Sequence, residues 1–462
     1  MTLLSQKTAT HSEISSPFLS FADQGMFLAH SAAGQHAVIQ VLWRYRHPVD
    51  FDALKQFRDN LAYGRLGRLV KQARLPFARH HWIKAPPPVS DLTVAETPIS
   101  KSLLQTWADT QIRLPLDPEH GPAWTFSVQP LSDGSTVVSL VVSHCIADGV
   151  ATTLAVKDAV HGERRPAPES NTPSTSVKPT AVSLATELLR FAQDIPATAR
   201  AVFNLTQIMR PAFVKKTVPR ALPNVPTTDD RTVIFPSVFL RVPLSSWDEK
   251  ARNLGANRLT LITAITADFA KALGRVLNQN VSVLIPVNQR NTNSNNDGNC
   301  VSLARFTIAV DEARENLNGL KKRLHSTLMH ARRDPDKLGI LLPLVPFIPK
   351  RLFARAGQLA LGAFTDLPIT CSNLGELPED VLKIDGTSAE DICCRGVDRP
   401  LTLSAIEARG GVATLFAGVI PGFLALSFVA YQPGVVTETH QLHQLVKQVL
   451  KRYELTGEYF DD

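Results

Sequence analysis

The stretch VVSLVVSHCIADGV, residues 137–150, decides the fold reading. It carries one histidine, His144, one charged side chain, Asp148, and otherwise small or apolar residues. Residues 135–144 form a continuous apolar run rather than a strict alternation, so a strand with both faces covered is expected. Ser132-Asp133-Gly134 ahead of it reads as a turn, and VATTLAVKDAV (150–160) reads as a helix running away from the motif. A histidine at the end of such a strand can be held by backbone and still face a cavity. There a neutral imidazole takes a proton from a hydroxyl or amine and returns it to a leaving group. Asp148 at that depth calls for a cationic partner, and Gly149 for backbone geometry that a Cβ would resist.

Outward from the motif, the first part of the chain alternates strand and helix. HAVIQVLWRYR (36–46) and AWTFSVQPL (123–131) read as strands, and DFDALKQFRDNLAYG (50–64) as a helix with an aspartate start and a glycine stop. Residues 162–180 are rich in Pro, Ser and Thr; a basic helical stretch follows to about residue 210, and 218–230 is another connector. The second half repeats the grammar. Residues 232–244 are expected as a strand, 245–256 as a serine-capped helix and 259–277 as a long buried helix. Strands are expected at 281–290, 301–311 and 367–375, and an amphipathic helix at 438–453. The division is 1–161, a partly helical crossover at 162–230, and 231–462.

Hydrophobic residues make up 44% of the 462 and charged residues 20%, as in soluble globular chains and unlike disordered ones. The N-terminus lacks a charged start followed by an apolar core, so a cytoplasmic location is expected. No charge lies between Arg409 and Glu438, long enough to span a bilayer. Pro421-Gly422 at its centre and its Val, Phe, Thr and Ala content favour two strands joined by a turn. The formal charge of +7 is not accompanied by a nucleic-acid motif, so no nucleic-acid partner is expected; a phosphorylated substrate or an anionic membrane surface would use the same charges. The five cysteines (145, 300, 371, 393 and 394) include no C-x-x-C spacing, and neither a disulfide framework nor a metal site is expected. Cys145 and His144 are strand neighbours pointing to opposite faces, which argues against a cysteine–histidine nucleophile.

His144-x-x-x-Asp148-Gly149 resembles the motif of the coenzyme A-dependent acyltransferase superfamily, HHxxxDG or HxxxDG. That superfamily includes chloramphenicol acetyltransferase and peptide-synthetase condensation domains. Residues 116–149, PVNQRNTNSNNDGN (286–299) and Ser372-Asn373-Leu374-Gly375 look most like blocks of the wax ester synthase/diacylglycerol acyltransferase group and the mycobacterial polyketide-associated acyltransferases. The resemblance implies an α/β fold of two chloramphenicol-acetyltransferase-like halves, each an α+β two-layer sandwich, with a channel between them. It implies an acyltransferase moving an acyl group from coenzyme A or a phosphopantetheine carrier to an alcohol, with no permanently bound cofactor. His144 matches the catalytic base and Asp148 the structural acid beside Gly149, with Arg290 as its candidate partner. Asn299, Ser372 and Asn373 are candidates for the channel lining and for stabilising an oxyanion. Ser143 stands where many members carry a first histidine. Condensation of carrier-bound groups onto an amine, and an idle binding module of the same fold, are the alternatives. An acyl carrier protein is a further candidate partner, and the apolar tract LGILLPLVPFIPK (338–350), with its cationic edge, is a candidate peripheral membrane contact.

Overall fold

The computed structural model describes residues 16–34, 36–86, 92–164, 183–212, 231–290, 298–312, 316–333, 337–350, 352, 366–399 and 401–461. Two sheets organise them. The first contains β1 (His36–Tyr45), β4 (Leu92–Val94), β5 (Trp124–Pro130), β6 (Thr136–Ser143) and β12 (Asp391–Arg399), in the order β12-β1-β6-β5-β4. The second contains β8 (Ser237–Pro243), β9 (Asn280–Asn288), β10 (Val301–Ala309), β11 (Ile369–Glu376), β14 (Val412–Ile420), β15 (Phe423–Tyr431) and β16 (Glu458–Tyr459). Its order is β10-β9-β11-β14-β15-β8-β16. Two-stranded ladders pair β2 (Arg68–Lys71) with β3 (His81–Lys84), and β7 (Thr232–Val233) with β13 (Leu401–Thr402). Helices α1 (Phe21–Ala33), α2 (Phe51–Tyr63), α3 (Leu104–Gln111), α4 (Gly149–Val160) and α5 (Leu184–Ala212) precede the second sheet. Helices α6 (Leu244–Asn253), α7 (Arg258–Ala272), α8 (Asn318–Arg333) and α9 (Lys337–Leu341) lie within its sequence span. This is the α/β architecture of two sheet-built halves that the sequence led us to expect.

The apolar run of β6 has the expected cause: all eight residues are buried. Val138, Leu140 and Val142 pack with Leu54 and Phe57 of α2 and Ala155 of α4. On the other face Val137 meets Leu104 and Ala108 of α3, and Val141 meets Ile112. Helix α2 starts where Asp50 accepts from the amides of Asp52 and Ala53 at 2.9 and 3.0 Å, a cap that satisfies donors the helix cannot. Helix α7 is buried nearly all round. It tolerates Thr263 and Thr266 because their hydroxyls donate to the carbonyls of Leu259 and Ile262 at 2.7 and 2.8 Å. The uncharged stretch before Glu438 is the β14–β15 hairpin, turned at Pro421-Gly422 with Gly422 at φ 79°. Among the described residues no helix is long and apolar enough to cross a membrane.

Four expectations need revision. The 232–244 strand is interrupted at Pro236, giving β7 and β8, since proline offers no ladder donor. The serine cap of α6 is absent: the capping position is Pro243, without a side-chain cap bond. The helix expected over 259–277 ends at Ala272, and the chain leaves through Gly274 at φ 76°. The two halves also do not own their sheets. β12, from the second half, lies antiparallel beside β1 at the edge of the first sheet, from His36↔Arg399 to Arg44↔Asp391. Its Arg395, 0% exposed, donates to Gln40 Oε1 (2.8 Å), Ser237 Oγ (2.9 Å) and Asp109 Oδ1 (2.7 Å), tying both sheets and α3 together. Much of the crossover, residues 165–182 and 213–230, lies outside the described residues; α5 is its helical part.

Two histidines near α1 set an acid limit on this packing. Burial is the main reason that His30, on α1, and His80, behind β3, are each lowered from 6.5 to about 4. Both are therefore neutral in the folded chain where the unfolded chain begins to protonate. Stability is expected to be unaffected by them above about pH 6.5 and to fall as the pH drops from there towards 4. Urea midpoints at pH 7 and pH 5 measure this, and the difference should shrink in His30→Gln/His80→Asn.

Candidate active site

The end of β6 delivers His144 by continuing the sheet one step further. Its amide donates to Ala37 O at 2.8 Å, on the register that pairs Val38 with Ser143. Its carbonyl accepts from Asn299 Nδ2 at 2.8 Å. The backbone is thus held on both sides while the ring stays half-buried. Ring Nδ1 is buried without a hydrogen-bond partner among the described residues.

Asp148 fixes the turn behind it. As N-cap of α4 it accepts from Ala151 N at 2.8 Å. Its Oδ2 accepts from Cys300 N at 2.9 Å and pairs with Arg290 Nη2 at 2.9 Å, both side chains being less than a tenth exposed. The structure thus sets Arg290, 142 positions away, directly on Asp148. Gly149 has a reason other than the backbone freedom expected of it: a Cβ would lie 3.0 Å from Leu374 Cδ2. A side chain here would require Leu374 of β11 to shift by a few tenths of an ångström. Arg68, stacked over Trp82 at 4.1 Å, braces the same turn by donating to Ile146 O at 2.5 Å.

Asn299 departs from its expected role. Its Nδ2 donates to both Asp23 Oδ1 (2.9 Å) and His144 O (2.8 Å), and its own amide donates to Asp23 Oδ1 at 2.7 Å. With both side-chain hydrogens engaged it has no donor for an oxyanion; it is a strut between α1 and the histidine. Gly298 beside it has no room for a side chain, since a Cβ would lie 2.5 Å from Asp23 Oδ2. Asp23 is 1% exposed and also closes the capping box of α1 with Ser20. The Ser20-x-x-Asp23 spacing ahead of apolar residues would have revealed that helix, although not the second use of its carboxylate.

Ser372 and Asn373 lie on β11, immediately before Leu374. Asn373 Oδ1 accepts from Gly375 N at 3.1 Å, and no hydrogen bond joins either side chain to His144 among the described residues. β11 runs parallel to β9 but pairs with it only at Ile369↔Val283 and Thr370↔Leu284. Both strands continue beyond that point without pairing. Their C-terminal ends meet α4 from two sides, through Arg290–Asp148 and Leu374 against Gly149. Such a divergence beside a helix N-terminus is a recurrent ligand entry in α/β proteins.

A small apolar cavity opens from this point, lined by Gly149 and Thr153 of α4, Leu374, and Phe416 and Ala425 of the hairpin, among others. It follows one face of the first sheet. The register pairs Ala37 with Asp398, Ile39 with Gly396, Val41 with Cys394 and Trp43 with Ile392; of this row Ile39, Val41, Trp43, Ile392 and Cys394 line the cavity. At Gly396 a Cβ would lie 3.1 Å from Phe416 Cζ, so the missing side chain makes space for that ring. His144 and Asp398 stand at one end of this row, next to Ala37.

Asp398 was not anticipated from the sequence. It pairs with Arg409 at 3.7 Å, and its side chain is 42% exposed. Burial raises its carboxyl above the ordinary value, opposed by Arg409 and His144. The cysteines are poor nucleophiles. Cys145 is buried, its Sγ donates to Met26 O at 3.6 Å, and desolvation pushes its thiol up to about 12. Cys394, in the cavity wall, is likewise raised to about 12. No group of three or more metal-ligating side chains occurs among the described residues.

No protein-family model matches this chain, and no curated protein matches it. Solved structures do. The first condensation domain of the CDA synthetase is 14% identical at a TM-score of 0.56, with 97% of each chain covered. Polyketide synthase associated protein 5 from Mycobacterium tuberculosis is 15% identical at 0.54, covering 95% of this chain and 98% of that one. The epimerization domain from the third module of tyrocidine synthetase B is 15% identical at 0.54, covering 96% and 97%. The likeness to wax ester synthases rests on the sequence blocks alone. The chain therefore shares the two-lobed fold of the condensation, epimerization and polyketide-associated structures over nearly its whole length.

Proposed function

We propose that the protein is an acyltransferase that moves an apolar acyl group from a thioester, coenzyme A-bound or carrier-bound, to an alcohol. The observation that supports this best is the half-buried imidazole of His144 at the end of the row of sheet residues that lines an apolar cavity, on a turn held by the Asp148–Arg290 pair. In this reading Nε2 takes the proton of the acceptor hydroxyl as its oxygen attacks the thioester carbonyl carbon. Collapse of the tetrahedral intermediate breaks the carbon–sulfur bond, and the imidazolium protonates the leaving thiolate. Asp398 faces the imidazolium across the sheet edge and opposes its charge. No acyl-enzyme is required. With Asn299 committed elsewhere, Ser372 is the side-chain candidate for the oxyanion.

A second reading keeps the site and changes the acceptor to a carrier-bound amine. It is favoured by the condensation domains among the structural neighbours and by Asp398, whose carboxylate would attract an ammonium group. One assay separates the two: thiol release from acyl-coenzyme A donors, acetyl to palmitoyl, and from the same acyl groups on a carrier protein, with pooled alcohols or amines. Alcohol-dependent release that rises with chain length is expected. Transfer only from a carrier protein to amines would replace the first reading with the second, and release from no donor of either kind would overturn both.

A further inference from the structure

Helix α5 is docked the wrong way round for a helix at home in water. Leu184, Leu188, Ile195 and Val202 recur along one face, with Leu189 and Phe203 beside them, and these six are 46–63% exposed. The acids of the helix point inward instead. Glu187 accepts from the amides of Arg74 and Leu75 at 3.1 and 3.2 Å, and Asp194 is gripped by Arg79 at 2.8 and 3.0 Å. The apolar stripe is thus held outward by ion pairs and hydrogen bonds on the neighbouring flank, along a helix of 29 residues, about 43 Å long. Phe77, 53% exposed and stacked on Phe347 at 5.5 Å, widens it.

The tract 338–350, expected to meet lipid, packs instead against α5 and α1 with Val345 buried; it backs the stripe rather than forming it. Arg200 on the helix itself and Arg74, whose amide bonds Glu187, are exposed, and neither acid of α5 faces outward. A basic rim about an outward apolar helix face matches a bilayer interface with anionic headgroups. We propose that α5 seats the protein on an anionic lipid surface. The docked face is linked to the site, because the 3-10 helix Leu342–Phe347 packs on both α5 and α1, and α1 carries Asp23, which holds Asn299. The purpose of docking, access to an apolar substrate, rests on the proposed acyl transfer; the docking itself does not.

The test is co-sedimentation of the full chain with vesicles of phosphatidylcholine alone or mixed with phosphatidylglycerol. Wild type should pellet with the mixed vesicles. Leu188→Asp/Phe203→Asp should bind at least about tenfold more weakly with an unchanged thermal unfolding curve, because both side chains are exposed. Arg200→Glu should weaken binding to the anionic vesicles only. His144→Ala should pellet like wild type, so loss of transfer and loss of docking are separable. Wild type that stays in the supernatant, or a double variant that still pellets, overturns the proposal. So does a wild-type dimer that the double variant dissolves without lipid, which would assign the stripe to a second copy of the chain.

Discussion

Replacing His144 by alanine should lower acyl transfer on the order of 10²- to 10⁴-fold, the usual contribution of a positioned general base, while leaving the protein folded. The second half of that expectation follows from the hydrogen bonds. The residue's structural ties run through its amide, to Ala37 O, and its carbonyl, from Asn299, and alanine keeps both. The half-buried imidazole has no hydrogen-bonded partner among the described residues. Activity and unfolding should therefore separate cleanly, measured as thiol release and as the urea midpoint of the same preparation. Transfer within tenfold of wild type would remove His144 as the base. A collapsed midpoint would instead make it a structural residue.

Arg290→Ala should have the opposite profile, acting on stability first. The Asp148–Arg290 pair is less than a tenth exposed on either side, and removing one member leaves a buried charge uncompensated, at a cost of about 3–5 kcal/mol. Asp148 keeps its bonds from Ala151 N and Cys300 N, so the carboxylate is still partly satisfied and the lower end of that range applies. Asp148→Asn should cost less by itself. The double variant should cost less than the sum of the two, because the asparagine no longer strands a charge when the arginine is gone. Urea denaturation of the four proteins measures the coupling. Additive losses would mean that the pair does not act as a unit. Transfer should also decline in Arg290→Ala, since β9 and the start of α4 together hold the turn that carries His144.

The parts of this site written in local sequence were legible, and the parts made by distant segments were not. The strand ending at His144 showed itself through its apolar run, α2 through Asp50, and the β14–β15 hairpin through Pro421-Gly422. Asn299 was placed at the site by its motif but given the wrong task, because nothing local says that its amide is shared between Asp23 and His144 O. Gly149 was noticed for its backbone freedom, whereas the structure shows a close approach to Leu374, 225 positions later. Asp398 escaped attention because β12 carries no periodic signal of its own; its neighbours on β1 give it a face. Helix α5 read as a basic helix, and its inverted orientation came from Arg79 and the amides of Arg74 and Leu75.

The sequence by itself determined the α/β class of the fold and many of its elements, among them β6 ending at His144, α2 and the β14–β15 hairpin. These follow from short-range causes: side-chain period, turn residues and caps act within a few positions of one another. Only the tertiary structure decided that β12 crosses to the first sheet, that Arg290 meets Asp148, that Asn299 is spent as a strut, and that an apolar cavity forms between α4, β12 and the β14–β15 hairpin. Each of these depends on contacts between segments more than a hundred residues apart, whose energies are set by packing and charge pairing after the chain has folded.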